Sequence, residues 1–199
     1  MTVKQQWAIV IGAVVLLGAG SFAFQRAYGT KVEQVAIGAP APPFTAYTVD
    51  GTRRAVGLTA YRGDVTILNV WATWCGPCKA EMPTLEHLYE MFKSNGLKVV
   101  AVSIDETASD DSVRTYARNM GLTFDILHDP QYRIEGAYQV VGYPSSYVID
   151  RDGVIRKVWL GAADWTSPGN IALVRSLLGL PTSAAELGAP TAGGLAAAP

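Results

Sequence analysis

Cys75 and Cys78, the only two cysteines of this chain, are its residues best suited to covalent chemistry, and they stand as Cys75-Gly76-Pro77-Cys78. Two thiols three positions apart can close a disulfide or open one, and in either direction the thiolate is the nucleophile. Three readings compete: a redox pair, a structural disulfide and half of a metal site. A structural bridge across so short a loop gains little entropy. A metal site would need His87 and His128, the only histidines, at spacings unlike those of zinc modules. Redox chemistry is the reading that the residues favour. Glu81 follows Cys78 by three residues, so on a helix the two share a side. On that spacing alone it reads as a solvated carboxylate. No Pro-x-x-x-Thr-x-x-Cys leads into Cys75, which argues against a peroxidase.

The elements around the pair fit this chemistry. Residues 65–71, Val-Thr-Ile-Leu-Asn-Val-Trp, form a short apolar run, as in a strand buried on both faces. A helical pattern follows the cysteines, with Met82, Leu85, Leu88, Tyr89 and Phe92 on one face and Asn95-Gly96 as its stop. Cys75 therefore falls near the helix N-cap, where free amides and the dipole favour a thiolate. Cys78 lies one turn on and deeper. Cys75 is expected to attack and Cys78 to resolve the mixed disulfide. Pro77 suits the first turn, and Pro83 is expected to bend the helix after Glu81. Lys79 and His87 read as helix-surface residues, and His128 as a loop residue.

Other segments give strands at 98–104, 124–127, 145–150 and 154–160. Helices are expected from a Ser109 cap to Met120, over 131–138, and from Ser167-Pro168 to Gly179. Asp50-Gly51 and Asp152-Gly153 mark two-residue hairpins, the first joining 44–49 to 53–58. The order is a hairpin, then β-α-β-α-β-α, then β-β-α, an α/β sandwich with a parallel core and an antiparallel edge.

The 199 residues are 49% hydrophobic and 17% charged, with a net charge of −1. That excludes a wholly disordered chain and gives no electrostatic signal for nucleic acid. The boundaries read as a cytoplasmic N-terminus at 1–6, a transmembrane anchor at 7–24, a stalk at 25–36, the catalytic domain at 37–180 and a disordered Ala/Gly/Pro-rich tail at 181–199. The uncharged run 7–24 makes about 27 Å of helix, close to the hydrocarbon thickness. A cleaved signal peptide is the competing reading. Either way the body is expected outside the cytoplasm, on the periplasmic side.

The stretch Trp71-Ala72-Thr73-Trp74-Cys75-Gly76-Pro77-Cys78-Lys79 resembles a thioredoxin active site. Glu81-Met82-Pro83, Ala41-Pro42-Pro43-Phe44 and 141–150 (Val-Gly-Tyr-Pro-Ser-Ser-Tyr-Val-Ile-Asp) extend the likeness to the membrane-anchored thioredoxin-like proteins called TlpA, ResA and CcmG. The resemblance implies a thioredoxin fold, a central mixed sheet flanked by helices. It adds an N-terminal β-hairpin and an insertion at 105–125, between the central strand and the next. It implies an extracytoplasmic thiol:disulfide oxidoreductase that reduces its targets, with no cofactor beyond the Cys75–Cys78 pair. Pro144 is then a cis-proline beside the cysteines. Trp74, Gly76, Pro77, Tyr143 and Pro144 would bind an extended substrate peptide, and Glu81 would be a partly buried catalytic acid. Asn69 takes the place where thioredoxin carries a buried Asp.

The expected client is apocytochrome c, whose haem-attachment Cys-x-x-Cys-His must be reduced. Copper-site cysteines of a terminal oxidase, and a copper(I)-chaperone role for the thiolates, are the alternatives. Reduction outside the cytoplasm also calls for a membrane-embedded thiol transporter as electron donor.

Overall fold

The structure is a computed structural model that describes residues 2–28, 35–106 and 110–181. The chain divides into two compact units, Met1–Gln34 and Val35–Pro199. The expected Ser109 cap, much of the expected stalk and nearly all of the expected tail lie outside the described residues.

In the first unit, α1 (Val3–Tyr28) is a single helix. Its stretch Val3–Phe24 has a mean hydropathy of 2.2 and buries nothing, so it is long and apolar enough to cross a membrane.

In the second unit the strands are β1 (Thr45–Thr48), β2 (Ala55–Gly57), β3 (Val65–Trp71), β4 (Leu97–Ser103), β5 (Asp125–His128), β6 (Ser145–Ile149) and β7 (Ile155–Leu160). The helices are α2 (Gly76–Phe92), α3 (Asp110–Asn119), α4 (Arg133–Tyr138) and α5 (Pro168–Leu178). One mixed sheet runs β2-β1-β5-β4-β3-β6-β7. β4 pairs in parallel with β3 and β5. β6 and β1 add antiparallel to opposite sides of that parallel core, each carrying its hairpin partner outward. All residues of β3 are buried, which requires cover on both faces, and its Val, Ile, Leu and Trp side chains supply the apolar surface for it.

The order of elements is as the sequence implies, and most bounds agree within two or three residues. The first hairpin differs. Its strands stop at Thr48 and Ala55, so residues 49–54 connect them and not Asp50-Gly51 alone. The reason is local hydrogen bonding by the aspartate. Asp50 Oδ1 accepts from Thr48 Oγ1 (2.8 Å), Thr52 N–H (2.9 Å) and Thr52 Oγ1 (2.6 Å), which opens the turn into a longer loop. Gly51 takes φ +91° there, the left-handed region where a side chain is disfavoured. In α2 the helix continues through Pro83 to Phe92 and ends through a short turn at Gly96, φ +95°.

Candidate active site

β3 ends at Trp71 in the middle of the sheet, and the chain turns through 72–74 into α2. That places Cys75 at the carboxyl end of a central strand, where α/β sheets present their chemistry. Cys75 is the N-cap of α2, with Pro77 in the first turn. Its Sγ accepts the Cys78 N–H at 3.1 Å, a helix-end amide aimed at the sulfur that carries the thiolate when the pair is reduced. The two cysteines are joined in a disulfide. Cys75 is 6% exposed and Cys78 is not exposed at all, so an incoming partner meets Cys75 first. Gly76, Pro77 and Lys79 are exposed beside it.

Glu81 lies one turn past Cys78 on the same helix. It is 1% exposed, which corrects the solvated reading: the carboxylate is fully buried. Oε1 accepts from Trp165 Nε1 (2.9 Å) and the Ala163 N–H (3.1 Å), and Oε2 from Asn69 Nδ2 (3.0 Å). Asn69 Nδ2 also donates to Ser146 Oγ at 2.8 Å. Burial pushes the Glu81 pKa up, and hydrogen bonds from Trp165, Ala163, Asn69 and Ser146 offset only part of that shift. A buried carboxyl with a raised pKa, one turn from a thiol, is placed to exchange a proton with it.

The third part comes from the other side of β3. β6 pairs antiparallel with β3, Ser145 opposite Val70, so the residues just before Ser145 emerge beside the loop that carries Cys75. There the Tyr143–Pro144 bond is cis, and Pro144 is buried. The Tyr143 ring stands edge-on to Trp74 with centroids 5.7 Å apart, and Trp74 is 65% exposed. Among the described residues the Tyr143 N–H and carbonyl have no hydrogen-bond partner. The structure thus brings together all eight residues expected at the site: Trp74, Cys75, Gly76, Pro77, Cys78, Glu81, Tyr143 and Pro144.

A family model described as the AhpC/TSA family matches residues 37–158. The chain belongs to that family. The thiol-disulfide oxidoreductase ResA of Geobacillus thermodenitrificans is 35% identical over 161 residues, 79% of this chain and 90% of that protein. The thioredoxin-like protein YneN of Bacillus subtilis is 34% identical over 158 residues, 79% of this chain and 91% of that one. Among solved structures, a thiol:disulfide interchange protein of the thioredoxin family from Chlorobium tepidum matches with a TM-score of 0.60 at 26% identity, over 72% of this chain and 98% of that one. With the Cys75–Cys78 pair in place, the protein is a thioredoxin-like thiol-disulfide oxidoreductase.

Sequence reasoning missed several members of the oxidoreductase site. Trp165 and Ala163 hold Glu81 across 84 and 82 positions of sequence, and no spacing pattern links them. His128 ends β5 and is 2% exposed, not a loop residue. Its Nδ1 lies 2.7 Å from Asp110 Oδ1 and its Nε2 2.7 Å from the Asp105 carbonyl oxygen. Asp105 reaches the loop before Cys75. Its one sequence signal is its place just past the end of β4.

Proposed function

We propose that this protein is held in the cytoplasmic membrane by α1 and reduces disulfides of client proteins outside the cytoplasm, apocytochrome c being the client. The observation that carries the reading is the open strip beside Cys75: the unpaired backbone of Tyr143, the exposed Trp74 and a nucleophile reached from the surface. An extended peptide can pair with such a backbone by strand addition. A cavity of about 860 Å³ is lined by residues of β1, β2, β5 and α3 and not by the cysteines; Cys75 is met from the surface, where a macromolecular disulfide can reach it. The likeness of the 71–83 stretch to the ResA and CcmG group supports apocytochrome c as the client.

In the reaction the Cys75 thiolate attacks one sulfur of the client disulfide and releases the other as a client thiolate. Glu81 as carboxylate takes the Cys78 proton. Cys78 then attacks Cys75 Sγ and frees the second client sulfur, which takes up a proton. Two electrons have passed to the client, and the pair is left as the disulfide seen here. A membrane thiol transporter must reduce it again. No cofactor enters these steps.

Two measurements test this. Cys75→Ser is expected to abolish turnover, and Cys78→Ser to accumulate mixed disulfides whose client half carries the Cys-x-x-Cys-His of a c-type cytochrome. Trapping of a copper-site protein instead would move the client assignment. A reduction potential of the full chain in detergent near thioredoxin's, about −270 mV, fits a reductant; one near −120 mV would overturn that direction.

A further inference from the structure

We infer that Asp105 is a positioning residue for the redox pair, holding the loop that presents Cys75 and setting the potential of the pair through its charge. Asp105 is 3% exposed just past the end of β4. Its Oδ2 accepts the Thr73 backbone N–H at 2.9 Å and its Oδ1 the Thr73 hydroxyl at 2.7 Å. The Ser103 hydroxyl donates to Oδ2 at 2.6 Å. Among the described residues, every hydrogen bond to the two oxygens comes from a donor, the arrangement that an ionised carboxylate accepts. Thr73 stands two residues before Cys75, and the Cys75 N–H returns to the Ala72 carbonyl. The turn from β3 into α2 is therefore pinned from the side by one carboxylate.

Asp105 is itself held. A carbonyl oxygen only accepts, so His128 Nε2 carries a hydrogen and donates it to the Asp105 carbonyl, while Nδ1 meets the Asp110 carboxylate on α3. Arg53 closes the far side of Asp110 at 2.6 Å. The other titratable groups that feel Asp105 are Tyr116 on α3, pushed up by burial and then by Asp105, and Tyr132 before α4, pushed up by burial and then by Glu106, Glu135 and Asp105. Glu106 is its chain neighbour.

Two residues of chain span at most about 7 Å, so the carboxylate lies within roughly 10 Å of Cys75, about a Debye length at 0.1 M salt. A negative charge at that range opposes the Cys75 thiolate. Opposing the thiolate destabilises the dithiol form and lowers the potential, since a stabilised reduced form is what makes a strong oxidant. Asp105 thus counters the helix-end amide that favours the same thiolate.

The inference rests on reading the pair as a reductant. The wild-type potential tests that reading, and the difference between variant and wild type tests this one. In the full chain, Asp105→Asn is expected to shift the equilibrium with glutathione about tenfold toward the dithiol, or about 30 mV. The pH midpoint for alkylation of Cys75 falls with it. Thr73→Val, which removes only the hydroxyl donor, is expected to slow client reduction about tenfold, the scale of one lost hydrogen bond, and Thr73→Ser to restore it. An Asp105→Asn protein with unchanged potential and alkylation midpoint would overturn the charge role. Thr73→Val and Thr73→Ser proteins turning over alike would overturn the positioning role and serve as the deciding test if Asp105→Asn does not fold.

Discussion

Glu81 is a buried carboxyl on the helix that carries Cys78, and its titration is expected to shape the pH behaviour of the site. Its folded pKa is raised above 4.5, mainly by burial. The folded state therefore keeps this proton to a higher pH than the unfolded chain does. Linkage fixes the sign: stability falls as pH rises from about 4.5 toward the raised folded value, then levels off. Glu81→Gln removes the titration, so the melting temperature of the variant is expected to gain on wild type across that window. Asn69 Oδ1, buried and without a partner, can turn to receive the new amide. The pH profile of client reduction should change with it. Parallel melting curves for the two proteins across pH, or an unchanged activity profile, would remove Glu81 from the proton path. The cysteines were legible in the sequence because their chemistry is local, four residues at a strand-to-helix junction. The burial of Glu81 was not, because it depends on Trp165 and Ala163, which only the closed fold brings to it.

Elements were legible where periodicity or a terminal residue marks them. β3 shows as an unbroken apolar run, and α2 as an apolar stripe ending before a left-handed glycine. The first hairpin was legible as a pairing but not as a loop. Asp50-Gly51 suits a tight turn, yet the Asp50 carboxylate captures Thr52 and Thr48 and holds the chain open. Hydrogen bonds to Thr52 are the largest cause that brings its pKa from 3.8 to about 2. A depressed acid contributes to loop order above its unfolded value, and that contribution fades as pH falls through the folded one. The Thr52 amide resonance is expected to titrate with a midpoint near 2, and to lose that transition in Asp50→Ala. A midpoint near 3.8 would mean that the loop bonds are not kept in solution.

At the scale of the whole molecule, the two compact units have different solvents written into them. Among the described residues, every member of the apolar core lies between Phe44 and Leu178. In α1, Val10, Ile11, Val14, Val15, Leu16 and Leu17 are all more than half exposed. A helix of this composition gains by entering a bilayer. The redox pair, Glu81 and its partners, Asp105 and cis-Pro144 all fall within Val35–Pro199 as well. A fragment that starts at Val35 is therefore expected to fold without detergent. Its melting temperature and reduction potential should match those of the full chain in micelles, and it should reduce a soluble disulfide at the same rate. What it should lose is retention in the membrane fraction. A fragment that melts well below the full chain, or whose potential differs from it, would show that α1 contributes to the fold or to the chemistry rather than to location alone.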